Sequence, residues 1–174
     1  MRSFLVLLAA CSNAADPAVD AFVGSPDAST IDAAPDAPID APAGVPIRIL
    51  VLNEVGAGDT PDWFEVVNAT TAPVELSQFV YVDAAGDFVK ARAFPPMMLG
   101  PGARYVQNVD DATSGFKLAS DEELWIYRTS DHALSGGVDW PDGASPAGMG
   151  YARVPDVFGP FVTQVATRGT ANLP

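Results

Sequence analysis

Four polar residues stand inside apolar runs of this chain. Asn53 and Glu54 lie in Leu52-Asn53-Glu54-Val55, and Glu65 and Asn68 lie in Trp63-Phe64-Glu65-Val66-Val67-Asn68. A carboxylate among β-branched and aromatic residues needs a partner if it is buried. The set therefore reads first as structural polar glue, with a ligand or metal site as the alternative. Asn68, at a run's end, can bond neighbouring backbone and stop a strand ladder. His132 is the sole histidine, beside Asp131 in a turn-like stretch, and Cys11 is the sole cysteine. One histidine without thiolates cannot build a zinc site, so His132 reads as an exposed surface residue. No intramolecular disulfide is possible. Two loops are calcium candidates: Asp59 with Asp62, and Asp139 with Asp142 around Gly143. Calcium takes about six to eight oxygens, and neither loop follows an EF-hand pattern, so solvated turns are expected. There is no Gly-x-Ser-x-Gly elbow and no Walker loop. No pair of carboxylates is picked out as a general acid and base. The expectation is a non-catalytic protein with no cofactor and no resident metal.

Charge narrows the partners. The chain has 22 acidic and 9 basic residues, a net charge of -13 over 174 residues. A basic surface for phosphate backbones is missing, so nucleic acid is not an expected partner. The acidic balance fits solubility, cations or basic partners.

The elements fall into three stretches. Arg2 is followed by the apolar run Phe4 to Ala10 and then Cys11. That run is too short to span a bilayer; a charge, an apolar core and small residues read as a secretion signal. Leu8-Ala9-Ala10-Cys11 resembles the lipobox of bacterial lipoproteins. The resemblance implies a signal peptide over 1–10, acylation of Cys11 and, with Ser12 rather than Asp next, an outer-membrane address. Two or more acyl chains hold a protein stably where one does not. Ten residues is short for such a signal, and the natural start can lie upstream of Met1. Residues 11–46 form the second stretch. Between 12 and 46 lie six Asp, six Pro and no Lys or Arg. Proline defeats helix and sheet, and little apolar bulk offsets ordering entropy. A disordered tether is expected. At about 3.1 Å per residue in polyproline II it reaches about 110 Å.

Residues 47–174 carry the strand signals. Strands are expected at 47–55, 63–68, 79–82, 88–94, 104–109 and 124–128, and short ones near 138–140, 151–154 and 161–165. Asp121-Glu122-Glu123 reads as a turn before Leu124. Turn signals at Ala85-Gly86-Asp87, Gly100-Pro101-Gly102 and Thr113-Ser114-Gly115 separate them. This punctuation predicts an all-β sandwich or barrel, with Trp63 as a large core residue.

The motifs occur in an order that resembles the lamin-tail domain family. Asn53-Glu54 ends the first strand, and Trp63 to Asn68 is similar to the family's tryptophan, apolar, glutamate, apolar, apolar, asparagine run. Pro73-Val74-Glu75-Leu76-Ser77, Leu99-Gly100-Pro101-Gly102, Gly115-Phe116-Lys117-Leu118, Tyr151-Ala152-Arg153-Val154-Pro155-Asp156 and Gly169-Thr170-Ala171-Asn172 follow in order. Two positions depart: Phe79, where a glycine-tryptophan pair is usual, and the missing proline near Gly169. The resemblance implies an immunoglobulin-like β-sandwich. The expected function is a lipid-anchored module, held at a membrane, that binds an envelope protein or polysaccharide. A structural spacer and an accessory subunit of a secreted hydrolase are the alternatives. The late loops around Trp140, Tyr151, Arg153 and Phe158 are the nominated binding surface, because they are long and carry aromatics. The partner's identity and the oligomeric state are not legible.

Overall fold

The computed structural model describes residues 44–110 and 115–174. The expectations for the signal at 1–10, for Cys11 and for most of the tether lie outside the described residues. Among those residues the chain is all-β, and every strand pairing is antiparallel. The strands are β1 Leu50–Gly56, β2 Asp62–Asn68, β3 Val74–Glu75, β4 Phe79–Val82, β5 Arg92–Ala93 and β6 Met98–Leu99. They continue with β7 Arg104–Val109, β8 Glu122–Arg128, β9 Leu134–Trp140, β10 Met149–Arg153 and β11 Phe161–Val165. One sheet has the order β11-β10-β1-β2-β7, a second has β5-β4-β8-β9, and β3 pairs with β6.

Alternation sends every second side chain of a strand to one face. Leu50, Leu52, Phe64 and Val66 of the five-stranded sheet share one core with Phe79, Tyr81, Leu124, Ile126 and Trp140 of the four-stranded sheet. Tyr81 makes edge contacts with Phe64 at 5.0 Å and Phe94 at 5.2 Å. Such pairs contribute about 0.5–1.5 kcal/mol each beyond area burial. The opposite face of the five-stranded sheet is also covered. Val51 and Val67 pack there against Val157, from the 154–160 loop.

Several strand expectations needed correction. Phe88–Lys90 is a 3-10 turn, not part of a strand, and only Arg92–Ala93 pairs. Asp87 accepts from the Val89 amide at 3.1 Å, and such a side-chain cap favours a turn over a ladder. β1 starts at Leu50 rather than residue 47, because Arg48 has a left-handed φ of 53°. Glu122 and Glu123 belong to β8. Their carboxylates accept from the Ala119 amide at 2.6 Å and the Ala85 amide at 2.7 Å. β9 begins four residues before its expected start, at Leu134. Its Ser135-Gly136-Gly137 has poor strand propensity. A Cβ at Gly137 would lie 2.1 Å from the Trp125 ring, so close packing selects glycine there.

Trp63 is fully buried, but not in the shared core. The core residue of that pair is Phe64. The Trp63 ring lies on the other sheet face, over Gly56, where a Cβ would stand 2.2 Å from its Nε1. Arg168 stacks above the ring at 5.3 Å.

Candidate functional site

The polar residues of the opening motifs converge on that same outer face. A bulge between Leu52 and Glu54 shifts the register of β1 against β2. The shift places Glu54 directly opposite Glu65, and both are fully buried. What covers them is the segment after β11, residues 166–172, together with Asp156 from the loop before it.

Each group in this cluster is bonded. The Asn53 amide nitrogen donates to Glu65 Oε1 at 2.9 Å and to Asp156 Oδ1 at 3.0 Å. Its oxygen accepts from the Val157 amide at 2.9 Å. Glu65 Oε2 accepts from the Gly169 amide at 2.8 Å, and Arg104 Nε stands 3.3 Å from Glu65 Oε1. The other end of Arg104 pairs with Asp156. Glu54 Oε1 accepts from the Thr167 amide at 2.9 Å, and Glu54 Oε2 lies 2.9 Å from the Thr167 hydroxyl. Asn172 closes the arrangement, donating to the carbonyls of Asn53 at 3.1 Å and Arg153 at 2.9 Å. The result is a strap, 166–172, fastened to β1 through Glu54 and the Asn53 carbonyl and to β2 through Glu65.

The electrostatics follow from burial. Desolvation pushes both Glu54 and Glu65 above the ordinary glutamate range, against the pull of their donors. Burial would raise Asp156 too, but bonds from Asn172, Asn53 and Arg104 bring it below its usual range. Arg153 is lowered to about 10 by burial and by Arg48. It donates to the carbonyls of Leu52 at 2.9 Å and Gly159 at 3.0 Å, and lies 4.3 Å over Phe161.

Asn68 belongs elsewhere. At the end of β2 it donates to the carbonyls of Ala72 and Leu99, both at 2.8 Å, and accepts from Thr70. It braces the turn after β2, as a strand-ending asparagine is expected to do.

The nominated binding residues separate. Trp140 is fully buried in the core and donates to the Ala119 carbonyl at 3.1 Å, so it presents no surface to a partner. Tyr151 is half-buried and stacks on Phe161 at 5.4 Å. Phe158 is 75% exposed, with Arg48 at 5.7 Å from its ring. A groove the sequence reading missed lies between β11 and the strap. It encloses about 700 Å³ and is lined by Val162, Gln164, Val165, Arg168 and Leu173 among others. Val165 is 71% and Leu173 67% exposed. Among the described residues β11 is the edge strand of its sheet, and edge strands are places where partners can pair.

The calcium candidates are used internally or open to solvent. Asp59 accepts from Trp63 Nε1 at 2.6 Å and from the Gly148 amide at 2.9 Å. Asp62 accepts from the Leu118 amide at 3.1 Å, and Asp142 is exposed. Among the described residues no group of three or more histidine, cysteine or acidic side chains is arranged to hold a metal ion. His132 is exposed and stacks on Phe88, with ring centres 3.8 Å apart. Among the same residues no helix is long and apolar enough to cross a membrane. Comparisons with protein-family models, curated proteins and solved structures found no match.

Proposed function

We propose that this chain is a lipid-anchored, extracytoplasmic, non-catalytic module that binds a protein or polysaccharide of the cell envelope. Its domain is read as an immunoglobulin-like β-sandwich of the lamin-tail type. Support for the fold reading comes from two antiparallel sheets on one core and from motif carboxylates used to fasten the last segment of the chain. Support for anchoring comes from Cys11 directly after a short apolar run. The acidic, proline-rich stretch that follows is suited to hold a domain away from a surface.

The observation that carries the binding reading is the groove between β11 and the strap. The edge strand β11, exposed Val165 and Leu173 and a neighbouring Arg168 occur together in an otherwise acidic molecule. Exposed apolar residues beside a sheet edge are a recurring basis for partner binding. The test is affinity capture with the purified protein against envelope extract and intact polysaccharide, with and without calcium. Saturable retention of one partner supports a binding module. No retained partner under either condition favours a structural spacer.

A further inference from the structure

The carboxyl of Glu54 faces a proton-counting constraint. Asn172 uses both amide hydrogens on the carbonyls of Asn53 and Arg153. Its Oδ1 is therefore fixed as an acceptor, and the Thr167 hydroxyl is 2.7 Å away. The same hydroxyl is 2.9 Å from Glu54 Oε2. A threonine hydroxyl has one hydrogen and cannot donate to two oxygens. An ionised Glu54 would leave one of these oxygen pairs in contact without a proton between them.

A second, independent constraint is the charge around it. Glu54 faces Glu65 across the β1–β2 ladder, and like charges directly opposite are unfavourable. Asp156 approaches from the 154–160 loop. Arg104 from β7 is the cation of the cluster, and it contacts Glu65 and Asp156. Arg153 of β10 is bonded to carbonyls, and Arg168 of the strap lies over Trp63. Among the described residues no cation is within ion-pair distance of Glu54.

We infer that Glu54 is a neutral carboxylic acid in the folded protein, donating its proton to Thr167 Oγ1, and that this proton fastens the C-terminal strap. Thr167 passes its own hydrogen to Asn172 Oδ1, so one chain of bonds runs Glu54 to Thr167 to Asn172. Ionisation of Glu54 removes the first donor and puts a second buried carboxylate opposite Glu65. The strap, which forms one wall of the groove, is then released as pH rises. Burial, which raises the Glu54 pKa, agrees in direction. A raised acid favours the closed strap fully below the ordinary glutamate range. That advantage is lost as pH rises toward the folded value.

The test reads the Glu54 carboxyl carbon by NMR across pH, with amide hydrogen exchange at Thr167 and Gly169. The expected result is a neutral-acid carbon shift persisting well above the ordinary glutamate range. Protection of the Thr167 amide, corrected for intrinsic exchange, falls by up to about tenfold per pH unit over that window. In Glu54→Gln, whose amide supplies a permanent donor, protection is retained and its pH dependence disappears. A carboxylate shift at mildly acidic pH with the strap still protected would overturn the inference. So would loss of the strap in a folded Glu54→Gln variant. If that variant fails to fold, the wild-type carbon shift alone decides.

Discussion

The side-chain amide of Asn172 bonds the backbone carbonyl of Asn53, joining positions 119 residues apart at 3.1 Å. The last segment of the chain is thereby tied to the bulge in its first strand. The buried carboxyl groups beside this bond serve the same attachment, Glu54 at Thr167 and Glu65 at Gly169.

Asn172→Ala leaves the buried Asn53 carbonyl and the part-buried Arg153 carbonyl without this donor. Each unsatisfied buried group costs about 1–3 kcal/mol. Urea unfolding is expected to show an unfolding free energy lower by an amount of that order, with a correspondingly lower midpoint. Hydrogen exchange should show the loss concentrated at Thr167 and Gly169 rather than in β8.

Gly150 sits where Glu54 lies across β10, and a Cβ there would stand 2.1 Å from Glu54 Oε1. Overpacking of this kind costs about 1–3 kcal/mol. Gly150→Ala should lower the thermal midpoint, whereas Gly100→Ala, which meets nothing within 4 Å, should not.

Arg104→Met breaks the pairs to Glu65 and Asp156 while leaving both acids in place. Removing one partner of a buried pair costs roughly 3–5 kcal/mol. The deficit should shrink on acidification. Glu65 already has a raised pKa from burial, and losing the cation raises it further. Its contribution is therefore complete below the ordinary glutamate range and falls as pH rises through the folded value. Asp156 acts in the same sense, because Arg104 helps to hold its pKa down. Equal deficits in acid and at neutral pH, by denaturant unfolding, would refute this assignment.

Cys11→Ala tests the anchor. If the proposed acylation of Cys11 holds the protein at a membrane, cell fractionation is expected to find the variant outside the membrane fraction. Unchanged membrane association would exclude a lipid on Cys11.

The legible parts of the fold were those where pattern and environment agree. Glu54 and Glu65 stood out because a carboxylate inside an apolar run has few explanations, and their partners supplied one. β2 and β8 were visible because bulky β-branched and aromatic residues dominate them. β9 was only half visible, since Gly136 and Gly137 are selected by the backbone and ring packed against them, not by strand propensity. Trp63 is buried as a large apolar residue should be, but its face was not legible, because β2 is buried on both sides and alternation of polarity could not assign it. Gly169 to Asn172 stood out as a motif, but the attachment of the strap they belong to was not legible, for a different reason. Residues 166–172 have little apolar content and are held by hydrogen bonds to residues more than 100 positions away. The groove depends on that strap and went unseen with it.

The most direct test of the binding account is partner capture with Val165→Asp/Leu173→Asp, two exposed positions whose change should leave folding intact. The account predicts that the wild-type protein retains a saturable partner and that the double variant, with an unaltered thermal midpoint, loses it. Equal retention by both proteins would contradict the groove as the binding surface, and no retention by the wild type would contradict a binding module altogether.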